Sequence, residues 1–140
     1  MYPTKTIVYP SKEEILKTPF KISQKIIKIT TDWKKVYLKG LKQKTTKDKL
    51  KEITTLLYLL TSSREPVVKL GTSYGYDLVG MVLFLNKNRA SLVSALHELG
   101  HHFYGASELK ACRFSIWLFK AVFPEFYEKL SWKKHLLVKK

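Results

Sequence analysis

The sequence predicts an α+β domain in which a small mixed or antiparallel sheet packs on one amphipathic helix, with further helices toward the C-terminus. Three observations carry that expectation. Leu92, Leu96, Leu99 and Phe103 recur at steps of four, three and four, an apolar stripe with the period of an α-helix. Just before it, residues 67–70 and 78–85 are apolar and β-branched runs flanked by glycine and aspartate, the pattern of strands. Ser11 and Thr45 each stand three residues ahead of an acid, Glu14 and Asp48, the spacing of a capping box that opens a helix.

Taken in order, residues 6–9 read as a short strand stopped by Pro10, and a helix opens at Ser11 and ends before Pro19. Residues 21–30 and 33–38 are β-rich with interleaved lysines and read as two strands with one wet face, turning at Thr31-Asp32. Residues 40–46 form a basic loop, after which Leu50, Ile53, Leu57 and Leu60 mark a helix to about residue 62. Residues 67–70 and 78–85 then read as a hairpin around residues 74–77, with the second strand, apolar on both faces, buried against the central helix. Asn88 or Ser91 is placed to cap that helix, and Gly105 to end it. Ser107-Glu108 opens another, with Leu109, Cys112, Ile116, Phe119 and Phe123 along one face, until Pro124 breaks it. Residues 125–138 read as a last, basic amphipathic helix. There is no repeat or low-complexity linker, so residues 1–140 are expected to form one domain.

Composition bounds the partners. With 45 % hydrophobic residues among 140, the chain is expected to fold around a core. No apolar run reaches the length of a membrane span, and the N-terminus lacks the apolar core of a secretory signal. Cys112 is the single cysteine, which excludes an internal disulfide and makes an intracellular, cytoplasmic setting the expectation. The net charge of +15, from 26 basic against 11 acidic residues, favours contact with a polyanion such as nucleic acid or an anionic membrane surface. Only Arg64, Arg89 and Arg113 are arginines, so base-specific readout through bidentate forks is not expected. A lysine-rich chain poor in Asn, Gln, Met and Cys is also the composition of high-temperature proteins, and then the charge is only a solvated surface.

The chemistry is concentrated in His97-Glu98-Leu99-Gly100-His101. Four residues apart on a helix, His97 and His101 point their imidazoles to one place, where two neutral nitrogens suit Zn²⁺. Glu98 lies about a third of a turn round, near the same place, where a carboxylate takes a proton from a metal-activated water. A catalytic zinc takes three protein ligands. The nearest acid is Glu108, beyond a glycine turn that brings a second helix back alongside the first. His102 points about 100° away from His101 on the same helix, and His135 and Asp77 are the remaining alternatives.

On these residues the sequence resembles the zincin metallopeptidases, most closely the gluzincin type, over residues 78–119. Glu108-Leu109-Lys110-Ala111-Cys112 is similar to their Glu-x-x-Ala-Asp segment. The resemblance implies one Zn²⁺ on His97, His101 and Glu108, Glu98 as general base, a peptide or protein substrate, and residues 78–85 as the edge strand that pairs with extended substrate. Cys112 stands where the family has an aspartate orienting a ligand histidine, and the gap from His101 to Glu108 is short for a gluzincin. SprT-like and WLM-type proteases share the helix-then-glycine layout and basic character, but the histidine ligand they supply after the glycine is missing here. Tyr74, Tyr76, Tyr104 and His102 are candidates for a donor to the developing oxyanion, and Cys112 for support of a ligand. The competing expectation is a basic nucleic-acid-associated or protein-interaction module that keeps this fold with a non-catalytic metal site. Glu98 separates the two, because a structural zinc needs no base beside its ligands.

Overall fold

The structure is a computed structural model that describes residues 9–61 and 66–133, together with the backbone of residues 136–139. It is α+β, with six α-helices and a small mixed three-stranded sheet among the described residues. In chain order the elements are α1 (Lys12–Leu16), α2 (Gln24–Tyr37), a 3₁₀ turn (Leu41–Gln43), α3 (Thr46–Thr61), β1 (Val67–Gly71), β2 (Gly75–Asp77), β3 (Val82–Asn86), α4 (Leu92–Tyr104), α5 (Glu108–Val122), α6 (Pro124–Glu128), β4 (Leu130–Lys133) and β5 (Leu136–Lys139). Residues 6–8 of the expected first strand lie outside the described residues, as do residues 62–65, where α3 was expected to end.

Both capping boxes form. Glu14 N donates to Ser11 Oγ at 3.2 Å while Ser11 N donates to the Glu14 carboxylate at 3.3 Å. At α3, Asp48 N donates to Thr45 Oγ1 at 3.1 Å and Thr45 N donates to Asp48 Oδ2 at 3.0 Å. Each satisfies donors that the first turn of a helix otherwise leaves unpaired.

Residues 21–38 do not form two strands; residues 24–37 of them are the single helix α2. Its isoleucines, valine and threonines have strand propensity, yet Ile26, Thr30, Trp33 and Tyr37 also fall at steps of four, three and four. Ser23 caps the start by accepting from Ile26 N at 3.2 Å. Thr30 and Thr31 donate their hydroxyls back to Ile26 O and Ile27 O, at 2.8 and 2.7 Å, which removes the polar cost of threonine inside a helix. The deciding contact is remote: Trp33 is buried, and its indole N–H donates to Glu52 O on α3 at 2.8 Å. Packing thus overrides propensity.

The expected hairpin is also rearranged. The sheet order is β1-β3-β2, with β3 parallel to β1 and antiparallel to β2. Residues 78–81, expected in the second strand, form a turn that Asp77 closes by accepting from Val79 N at 3.0 Å and Gly80 N at 3.1 Å. Residues 75–77, expected as the turn, pair as β2. Consequently β3 is the centre of the sheet and not an edge, and the edge beside α4 is β2. The burial expected for this strand is met on one face: Leu83 and Leu85 are fully buried in the core with Leu96 and Leu99 of α4. A strand that alternates in this way leaves its other side chains half-covered, as Val82 and Phe84 are.

After α5 the chain does not continue as a basic helix. Pro124 starts the short α6, and β4 and β5 then form an antiparallel pair, with Trp132 opposite Leu137. Trp132 packs over a small cluster of Ile15, Cys112 and Ile116, which rewards the extended form of Leu130-Ser131-Trp132 over a helical one. Among the described residues no helix is long and apolar enough to cross a membrane.

Candidate metal centre

Helix α4 is held at both ends. Ser91 Oγ accepts from Ser94 N at 3.2 Å, and the Tyr74 hydroxyl ties the helix entrance to the chain just before β2, accepting from Ser91 N at 2.7 Å and donating to Arg89 O at 2.5 Å. At the other end Gly105 has φ 77° and ψ −146°, a conformation that side-chain-bearing residues rarely adopt. Its N–H closes the last turn on His101 O at 2.8 Å. The chain reverses there, and Ser107 caps α5 by accepting from Lys110 N at 3.2 Å.

The returning helix packs directly on the motif. A Cβ placed on Gly100 would stand 2.8 Å from the Ala111 Cα, closer than real Cβ atoms approach, so α5 lies against the bare backbone of α4. Glu108 is one turn before Ala111 on the same side of α5 and therefore reaches the histidine face. Its Oε2 is 3.0 Å from His97 Nε2 and its Oε1 is 2.9 Å from His101 Nε2. The two imidazoles cross at 82° with ring centres 4.9 Å apart.

The remaining contacts set the nitrogens for ligation. His101 Nδ1 is 2.8 Å from the Gly105 carbonyl, which only accepts, so Nδ1 carries a proton and Nε2, facing Glu108, is the ring atom left to bind a metal. His97 Nδ1 is 3.6 Å from Cys112 Sγ. Burial pushes the Cys112 thiol up to about 12, with the charges of Glu108 and Glu98 adding to the rise, so the sulfur beside this ring is protonated. Glu108 Oε2 is buried without a hydrogen bond despite its distance from His97 Nε2. Two imidazole nitrogens and a carboxylate that converge in this way could hold a metal ion. Donor atoms of His97, Glu98 and His101, and likewise of His97, Glu108 and Cys112, lie within 4.8 Å of one another.

Glu98 is buried beside the histidines. Burial pushes its carboxyl up to about 7; His101 opposes the rise only when its ring is protonated, and the charge on Glu108 adds to it. Such a carboxyl is suited to exchange protons near neutrality. His97 and Glu98 line a cleft of about 430 Å³ that runs along the first half of α4, between β2 and α5.

The other residues singled out in the sequence fall elsewhere. His102 turns from the cluster and its Nδ1 meets the Tyr76 hydroxyl at 2.5 Å, and Asp77 is committed to its own turn. His135 lies outside the described residues. Tyr104 packs edge-on against Phe20, and Tyr74 lines the cleft with its hydroxyl donating to Arg89 O. Three contributors were not anticipated: the Gly105 carbonyl, the Tyr74 clamp and Arg89 on the cleft wall. Only Gly105 left a signal, as a helix stop. No protein-family profile, curated protein or solved structure matches this chain.

Proposed function

We propose that the protein is a zinc-dependent metallopeptidase of zincin type, in which His97, His101 and Glu108 hold one Zn²⁺ and Glu98 is the general base. The observation that supports this reading most is the approach of both Glu108 oxygens to the Nε2 atoms of His97 and His101, next to a second, buried carboxylate that is not needed to hold a metal. When bound, zinc polarises the scissile carbonyl and makes water acidic enough to attack it near neutral pH. Glu98 takes the proton from the attacking water and passes it to the leaving amine nitrogen, completing hydrolysis of the peptide bond. The Gly105 carbonyl and Cys112 hold the two rings in the orientation that presents Nε2. Edge strand β2, beginning at Gly75 on the cleft wall, takes the role of pairing with an extended substrate.

Glu98→Gln tests the proposal, because it keeps the shape of the side chain and removes the base. With a cleavable peptide found by library screening, hydrolysis should fall by about 10²–10⁴ while zinc content stays at the wild-type level. Equal rates in the two proteins would overturn the assignment of Glu98. Zinc retention with no cleavage of any peptide by the wild type would favour a non-catalytic metal site.

A further inference from the structure

The candidate cleft has two ends of opposite charge. At one end Glu98 and Glu108 surround the histidines; along the wall of α4 the lining passes Ser94 and Ser91 to Arg89, the one lysine or arginine on it among the described residues. Arg89 is fixed by its backbone, since its N–H donates to Asn86 O at 3.2 Å and its carbonyl accepts from Tyr74. No ion pair among the described residues uses its guanidinium. The choice of arginine is itself informative in a chain whose other basic residues are lysines except Arg64 and Arg113. Arg113 bonds Thr18 and lies over Phe20, a structural duty, and Arg64 is outside the described residues. A guanidinium differs from an ammonium in offering a planar fork that matches the two oxygens of a carboxylate.

We propose that Arg89 forms a carboxylate-binding subsite of this cleft, giving the protein a preference for peptides with an acidic side chain close to the bond it cleaves. The inference rests on the peptidase reading for the word cleaves, and on the cleft alone for binding. Ser91 to His97 spans roughly 9 Å of helix. An extended peptide advances about 3.3 Å per residue, so a subsite at Arg89, just beyond Ser91, is reached about three to four residues from the scissile bond.

The test uses zinc-loaded Glu98→Gln protein, which does not consume its ligand, and blocked tetrapeptides that differ only in Glu against Gln at one position. Isothermal titration should show binding about tenfold or more tighter for Glu at one position than for its Gln isostere. Arg89→Ala should abolish that ratio and Arg89→Lys should reduce it. Lys87→Ala, which removes the same charge from an exposed neighbour, should leave it within about twofold, because a diffuse field does not distinguish positions along a peptide. Equal affinities for Glu and Gln at every position, no binding of any peptide, or a ratio that survives Arg89→Ala would each overturn the proposal. If the ratio depends on Arg89 while zinc-loaded wild type cleaves none of the same peptides, the subsite stands and the peptidase reading falls.

Discussion

Gly100 and Ala111 meet where α4 crosses α5, and the approach leaves no room for a side chain on the first: an added Cβ would be 2.8 Å from the Ala111 Cα and 3.1 Å from its carbonyl oxygen. Because both neighbours are backbone, no rotamer change relieves the clash, and the helices must part. Glu108 rides on the same turn of α5, so the distance between Gly100 and Ala111 also sets the distance from Glu108 to His97 and His101.

Gly100→Ala should therefore loosen the centre although alanine is the better helix former. The intrinsic gain of about 1 kcal/mol is opposed by an overpacking cost of about 1–3 kcal/mol. Chelator competition should show zinc held roughly tenfold or more less tightly. Ala111→Gly, which keeps the approach, should lower thermal stability slightly and leave zinc affinity near wild type. Similar affinities for wild type and Gly100→Ala would mean that the crossing does not control the ligand.

The purified protein should contain about one zinc per chain by elemental analysis. His97→Ala and His101→Ala should each abolish it, and Glu108→Ala should weaken it. Removal by a chelator should reverse on adding zinc. If Glu108→Ala retains zinc like wild type, the third ligand is a different group, and Cys112, whose sulfur is within 4.8 Å of donor atoms of His97 and Glu108, is the first to test.

Cys112→Asp places a carboxylate where a buried thiol now meets His97 Nδ1 at 3.6 Å. A carboxylate accepts the Nδ1 proton more strongly than sulfur, so zinc affinity should rise by about tenfold, whereas Cys112→Ala should lower it by less than removal of a ligand does. An unchanged affinity in the aspartate variant would show that His97 is oriented by other contacts.

Glu98 gives a pH dependence of folding in metal-free protein. Its carboxyl is raised from 4.5 to about 7 in the folded state, so between those values the folded chain binds more protons than the unfolded one. Its contribution is present below the lower value and is lost as pH rises through about 7, by up to about 3 kcal/mol. Denaturant unfolding at pH 5 and pH 8 should show Glu98→Gln gaining on wild type at the higher pH by an amount of this order. A constant difference between the two proteins would contradict the assignment.

The lysine surface should bind DNA, if it binds it at all, without base preference and with affinity falling steeply as salt is raised. Filter binding or anisotropy across a salt series reads this directly. Tight, salt-insensitive binding would contradict a mode driven by the net charge of +15.

Helix α4 with its paired histidines, the caps at Ser11, Thr45 and Ser91, and the glycine turn into α5 were legible in the sequence because each is a local pattern: a period of 3.6, or an acceptor a fixed number of residues from a donor. What the tertiary structure decided was every choice between two local patterns of similar merit. Ile26, Thr30, Trp33 and Tyr37 fit a strand by propensity and a helix by spacing, and the bond from Trp33 to Glu52, nineteen residues apart, selects the helix. Leu130 and Trp132 likewise become extended because a cluster built from α1 and α5 receives the tryptophan. The placing of β3 between β1 and β2 rests on pairings between segments that carry no mark of their partners. Among Glu108, His102 and Asp77, spacing left the partner of the histidine pair open. The bare backbone of Gly100, by letting Ala111 come close, brings Glu108 to it.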